Sequence, residues 1–126
     1  MSRLTIPNAK EKAFMNSVAE FGREYLGVLF NGYDGSPFQI HHCVGRSYRH
    51  SKVHIGHYFI LPVPIELHDV TSNHPLNVTH HRKAFCAKYG NERDLWRKMY
   101  IKMAELEMCK EARLLEVYHS IMDTNR

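Results

Sequence analysis

Residues 37–63 decide the fold: Pro37-Phe38-Gln39-Ile40-His41-His42, then fifteen residues carrying Arg46, Arg49, Lys52, Gly45 and Gly56, then Tyr58-Phe59-Ile60-Leu61-Pro62-Val63. The two flanking runs have the aromatic and β-branched content of strands, and the polar, basic and glycine-bearing segment between them reads as an exposed loop. Neighbouring side chains on a strand point to opposite faces, so His41 and His42 do not readily bind one ion together. One of them is left for another task. The pair opens a cluster: nine of the ten histidines (His41, His42, His50, His54, His57, His68, His74, His80, His81) lie within 41 consecutive residues.

Toward the N-terminus, Asn8 followed by Glu11 reads as a capping-box variant. Phe14, Val18, Phe21 and Tyr25 then keep helical spacing, which predicts an amphipathic helix from about residue 8 to 25. The apolar run Leu26 to Phe30 is expected to be extended, and the turn-rich residues 31–36 join it to Pro37. Toward the C-terminus, Pro62 and Pro64 are expected to stop the second strand, because proline cannot donate a ladder hydrogen bond. An irregular connection then runs to Asn77, and a short helix spans His80 to Tyr89 with Gly90 at its end. Asn91 caps a last helix, whose Leu95, Met99, Met103, Leu106, Leu114, Val117 and Ile121 predict one long element reaching nearly to Arg126. If part of that helix projects beyond the domain, a homodimer would bury its apolar stripe. The expected architecture is one α+β domain over residues 1–126.

A chain of 126 residues with 44% hydrophobic and 24% charged residues has enough apolar material for one core. No apolar run approaches the roughly 20 residues of a membrane span, and the first twelve residues lack the apolar centre of a signal peptide, so a cytoplasmic protein is expected. Cys43, Cys86 and Cys109 are odd in number and widely spaced, which argues against a disulfide framework and against an all-cysteine zinc site. Cys43, next to the histidine pair, is a candidate ligand, with a small buried hydrophobe as the favoured role. The formal charge of +4 is compatible with a polyanionic partner without requiring one.

The strand-loop-strand order followed by further histidines suits hydrolysis beside a divalent ion. One imidazole of the His41-His42 pair can bind the ion, and the other, neutral near pH 7, can take a proton from water. His68 and one of His74, His80 or His81 are candidates to complete the coordination. Each of these has an ordinary alternative as a loop histidine bonded to backbone. Arg46, Arg49 and Lys52 are either a solvated loop face or contacts to a nucleic-acid backbone.

The pieces Ala19-Glu20-Phe21-Gly22, Ile40-His41-His42-Cys43-Val44-Gly45-Arg46, His57-Tyr58-Phe59-Ile60-Leu61-Pro62, Leu67-His68, and Lys83-Ala84-Phe85 with Tyr89-Gly90 resemble the phage RecA-dependent recombination-enhancement nucleases of the HNH (His-Me finger) superfamily. The resemblance implies a ββα-metal core over about residues 37–90 and metal-dependent cleavage of DNA. It implies His41, His68 and His80 as ligands of one divalent ion (Mg²⁺, Mn²⁺, Zn²⁺ or Ni²⁺), His42 as general base and His57 as its support. Arg46 and Lys52 would hold the DNA backbone, and a RecA filament would be the targeting partner. The chain departs from the pattern in having no cysteine before the first strand or beside Leu61-Pro62, so no accessory zinc knuckle is expected. The runner-up expectation is a non-catalytic binding module whose histidines hold a structural zinc.

Overall fold

A computed structural model describes residues 8–43, 49–50, 53–54, 58–108 and 114–123. Helix α1 (Ala9–Leu29) begins at the expected capping box: Asn8 Oδ1 accepts from the Glu11 amide at 2.8 Å, and Glu11 Oε1 accepts from the Asn8 amide at 3.0 Å. Its inner face buries Phe14, Val18, Phe21, Gly22, Leu26 and Leu29. The helix therefore continues through most of the run that was expected to be extended. Leu26 and Leu29 fall four and three residues on from Gly22 and Leu26, so they prolong the buried stripe, and the chain absorbs the change as a kink at Tyr25 (φ −135°). A turn follows in which Gly32 and Gly35 take φ of +92° and +80°, and Asp34 Oδ1 accepts from the Gly27 amide at 2.7 Å.

Strand β1 (Phe38–His42) pairs antiparallel with β4 (Ile60–Pro64), His41 opposite Leu61 and Phe38 opposite Pro64. Between them the short strands β2 (Arg49–His50) and β3 (Val53–His54) form a second two-residue ladder. Strand β4 runs through both prolines that were expected to end it. The Cys43 amide donates to the Phe59 carbonyl at 3.0 Å and the Ile65 amide to the Pro37 carbonyl at 3.2 Å. In an antiparallel pair such bonds recur at every second residue, so on β4 the odd positions face β1 and the nitrogens of Pro62 and Pro64 point away from it. Among the described residues no third strand pairs on that edge, so the missing donors break no ladder bond there.

After β4 come the single-turn helix α2 (Ile65–His68), α3 (Arg82–Tyr89), ended by Gly90 at φ +107°, and α4 (Glu92–Glu105), capped by Asn91, whose Oδ1 accepts from the Asp94 amide at 2.8 Å. The long last helix expected from the apolar spacing is instead two helices, α4 and α5 (Leu114–Asp123). Glu107 takes φ +56°, the Met108 amide donates to the Met103 carbonyl at 2.9 Å, and the Glu107 amide donates to Ala104 at 3.1 Å. These bonds satisfy the last carbonyls of α4 and turn the chain out of the helix. Helix α5 folds back, stacking Tyr118 on Tyr100 at 5.0 Å, and Val117 and Ile121 are buried with Leu95, Met99 and Met103 inside the chain's own core.

The β1–β4 hairpin is covered on both sides. On one face, α1 approaches so closely at Gly22 that a Cβ there would lie 2.6 Å from the Phe38 ring and 2.9 Å from Pro62. On the other face lie α2 and the start of α4, and Trp96 Nε1 donates to the Tyr58 carbonyl at 2.8 Å. The fold is thus a mixed α+β arrangement around a two-stranded antiparallel sheet with one continuous core from Phe14 to Ile121. No helix among the described residues is long and apolar enough to cross a membrane.

Candidate metal centre

Pleating puts Gln39, His41 and Cys43 on the face of β1 turned away from α1. All three meet chemistry there. His41, only 9% exposed, donates from Nε2 to Glu92 Oε2, and Glu92 Oε1 is bridged by Arg82 Nη1 at 3.0 Å. Glu92 stands in the first turn of α4, where the helix dipole favours a carboxylate. Burial alone would push its carboxyl up, but hydrogen bonds from His41 and Arg82 and their charges outweigh that and hold it below the ordinary range. Arg82 belongs to the first turn of α3, so Gly90 and Asn91, which end α3 and start α4, set the distance between the guanidinium and the carboxylate.

The last residue of α2, His68, packs its ring against that of His41, centroids 5.0 Å apart and edge to face. Its Nδ1 donates to Gln39 Oε1 at 2.6 Å, and Gln39 Nε2 in turn donates to Asp69 Oδ1 at 3.1 Å. The carboxylate fixes which way the Gln39 amide points, and the amide oxygen fixes the proton of His68 on Nδ1. The lone pair is then on Nε2. Burial, and then the charge of His41, lower the His68 pKa against the opposing pull of Asp69, which favours the neutral ring. Cys43 is 1% exposed, and burial followed by the Glu92 charge raises its thiol well above the ordinary value, with Arg82 acting in the opposite sense.

The ligand atoms of His41, Cys43 and Glu92 all lie within 4.8 Å of one another, and this is the one such group of three among the described residues. These side chains could hold a metal ion. Imidazole nitrogen, thiol sulfur and carboxylate oxygen are all donors that a borderline ion accepts, so the set fits a divalent metal. His68 borders the group.

The other residues singled out from the sequence are placed differently. Alternation carries His42 to the opposite face of β1, with Phe38 and Ile40, where it is half-buried. His80 is exposed and donates from Nε2 to the Val70 carbonyl at 2.7 Å, and it is not brought into the group. His74 accepts at Nδ1 from the Leu76 amide at 3.0 Å, and His81 is an exposed residue just ahead of α3. His57, Arg46 and Lys52 lie outside the described residues, and of Arg49, His50 and His54 only the backbone is described.

Two participants, Glu92 and Arg82, escape a reading by sequence, and a third, Cys43, is read there as core sooner than as a ligand. Glu92 follows a helix cap and looks like any first-turn acid, Arg82 looks like a surface cation, and Cys43 looks like core. Asn77 is a fourth residue of note, fully buried. Its Nδ2 donates to the carbonyls of Glu66 (3.2 Å) and Asp69 (2.9 Å), and its Oδ1 accepts from the amides of Thr79 (2.8 Å) and His80 (3.2 Å). It ties together the loop that carries His68 and Asp69. No family model, curated protein or solved structure matches the chain.

Proposed function

We propose that the chain is a metal-dependent DNA endonuclease with a ββα-metal type of centre, in which His41, Glu92 and the neighbouring His68 contribute to holding one divalent ion. The observation that carries this reading is the meeting of His41, at the end of a β-hairpin, with a second, neutral histidine whose Nε2 is left bare by the Asp69-Gln39-His68 chain. A bound divalent ion there would supply positive charge against the phosphate and its leaving oxygen. The chain's own residues do the rest. Arg82 holds Glu92 in place, and Gln39 holds the ring of His68 in one tautomer. His42, half-buried on the other side of the strand from His41, is the proton acceptor that the order of the sequence implies. Arg46 and Lys52 would hold the DNA backbone. Targeting by a RecA filament rests on the family resemblance. The filament is tested by adding it to the cleavage reaction.

The test is nicking of supercoiled plasmid by the full chain with Mg²⁺, Mn²⁺, Zn²⁺ or Ni²⁺, alongside metal content. His41→Ala and His68→Ala should lose both the ion and cleavage, and His42→Ala should lose cleavage while keeping the ion. A wild type that cuts DNA with none of these ions refutes the proposal.

One observation favours a second reading, a structural zinc site in a binding module: Cys43 and Glu92 are 1% and 6% exposed, and a closed site of protein ligands is the mark of a structural ion. Under that reading chelation abolishes the cooperative melt. Under the catalytic one it stops cleavage and leaves a cooperative melt in place.

A further inference from the structure

We propose that Cys43 is itself a ligand of this centre, as a thiolate, and that it makes the site selective for a thiophilic divalent ion of the zinc and cobalt class over Mg²⁺. The inference rests on the metal-binding half of the function proposed above and not on DNA cleavage.

Three observations carry it. The first is position: Cys43 follows His41 by two residues, one past the end of β1 and still in extended register with β4, so both side chains leave the chain on one face, and both reach Glu92. The β1–β4 ladder continues to this residue, since the Cys43 amide bonds the Phe59 carbonyl at 3.0 Å, so the backbone that aims the sulfur is held in register. The second is seclusion. Mg²⁺ dehydrates reluctantly and keeps several waters, which needs open space around the ion. Here the three donors are 9%, 1% and 6% exposed, an enclosure suited to an ion that gives up most of its waters for protein donors at about 2.0–2.3 Å.

The third is charge. A divalent ion bound by neutral His41, the Cys43 thiolate and the Glu92 carboxylate has its two charges matched by two ligand charges, as burial demands, with Arg82 a further, partly exposed cation on Glu92. Two exchanges accompany binding: the thiol proton passes to solvent as the sulfur-metal bond forms, and the ion takes the place of the proton on His41 Nε2, which goes to solvent from an imidazolium or to Nδ1 from a neutral ring, so that the bound ring is neutral. Arg82 stays on Glu92 Oε1, the oxygen turned away from His41, and so acts as a positioning residue for the carboxylate. His68, whose ring packs edge to face on that of His41 and whose Nδ1 is committed to Gln39, borders the group with its Nε2 as a further donor.

Cobalt(II) reports on sulfur ligation directly, because a thiolate bound to it gives a strong near-ultraviolet charge-transfer absorption that nitrogen and oxygen ligands do not. Added to the metal-free full chain, cobalt(II) should produce this band at one equivalent, zinc should abolish it by displacement, and a large excess of Mg²⁺ should leave it intact. Cys43→Ser should lose the band and bind zinc more weakly by more than the about 10- to 100-fold that loss of a supporting hydrogen bond costs a metal site. A double variant, Cys86→Ser with Cys109→Ser, should keep the band. It assigns the sulfur to Cys43 even if Cys43→Ser fails to fold. No band in the wild type, or loss of the band in the double variant, overturns the proposal, as does displacement by Mg²⁺. Nicking measured on the same samples separates the two proposals: a band without cleavage removes the nuclease reading alone, and cleavage without a band removes the thiolate alone.

Discussion

Replacing Asn77 by alanine is expected to destabilise the chain by about 3 kcal/mol. Its four hydrogen bonds, at 2.8, 2.9, 3.2 and 3.2 Å, are made by a side chain with no exposure to water. At a net value of about 1 kcal/mol each they sum to roughly 4 kcal/mol, and the two longer ones are the weaker, which brings the figure nearer 3. No water reaches the truncated position easily, so the carbonyls of Glu66 and Asp69 lose partners that solvent does not replace. With about 3–5 °C per kcal/mol for a chain of this size, the melting temperature falls by about 9–15 °C. Asn77→Asp is the sharper variant. It keeps the acceptor for Thr79 and His80 but turns both donors into an oxygen facing two carbonyls, so it should be worse than alanine. Urea and thermal melts read both, with the urea slope checked for constancy so that the shift in midpoint reports stability. Because the Thr79 hydroxyl donates to the His68 carbonyl at 2.7 Å, both variants should also weaken metal binding. An alanine variant within about 0.5 kcal/mol of wild type, or an aspartate variant as stable as asparagine, would falsify the view that this side chain holds the loop.

Three further outcomes follow from other places in the fold. Gly22→Ala should lower the melting temperature although alanine is the better helix former by about 1 kcal/mol, because the added Cβ meets Phe38 at 2.6 Å and Pro62 at 2.9 Å and overpacking typically costs about 1–3 kcal/mol; an unchanged melt would mean that α1 can back away from the sheet. Glu107→Gly should raise stability by about 1 kcal/mol by relieving a left-handed residue at φ +56°, while Glu107→Val should lower it, and equal melts for all three would show that the turn does not need this conformation. The Tyr33 phenol is raised above its ordinary 10.0 by burial, then by its hydrogen bond to Glu66 and the charge of that carboxylate. The folded chain therefore holds this proton more tightly than the unfolded one, so the contribution is whole below pH 10.0 and is lost as pH climbs toward the folded value. Tyr33→Phe should flatten part of the alkaline fall in stability, and an unaltered pH profile would count against the Tyr33-Glu66 bond.

Strands β1 and β4 were legible because aromatic and β-branched residues crowd a short span, and α1 was legible through its capping box and stripe. The misreadings are instructive in physical terms. Proline at 62 and 64 forbids a ladder donor only where the nitrogen faces a partner, and which way it faces depends on register, a property of two segments at once. The break after Glu105 carries neither glycine nor proline; a glutamate takes the left-handed position, and only tertiary packing of Tyr118 on Tyr100 and Trp96 repays it. In the candidate site, His41 and His68 were both named from the sequence and do meet. Glu92 was not, since it lies 51 residues from His41 and joins it through a helix start that looks like any other. Local patterns name residues with suitable chemistry, but which of them share a space is decided by pairing register and helix docking.

The location of the ligands also limits what a chelation experiment can say. His41 comes from β1 and Cys43 from the residue just past it, His68 from α2 and Glu92 from α4, so an ion held by them ties together three elements that are brought into contact only in the folded chain. An ion that binds the folded state and not the unfolded one stabilises by about 4 kcal/mol when its free concentration is 1,000 times its Kd, whatever chemistry it performs. A lower melting temperature after chelation is therefore expected of a catalytic ion and of a structural one alike. The two differ in what is left. The core formed by Phe21, Ile60, Leu61, Trp96 and Met99 does not include the ion, so a catalytic centre should leave a metal-free chain that still melts in one cooperative step, shifted down by about 12–20 °C. A structural centre should leave no cooperative step at all. A metal-free chain whose melt coincides with that of the loaded protein would mean that the ion is not held by residues from all three elements, and the centre assigned here would be wrong.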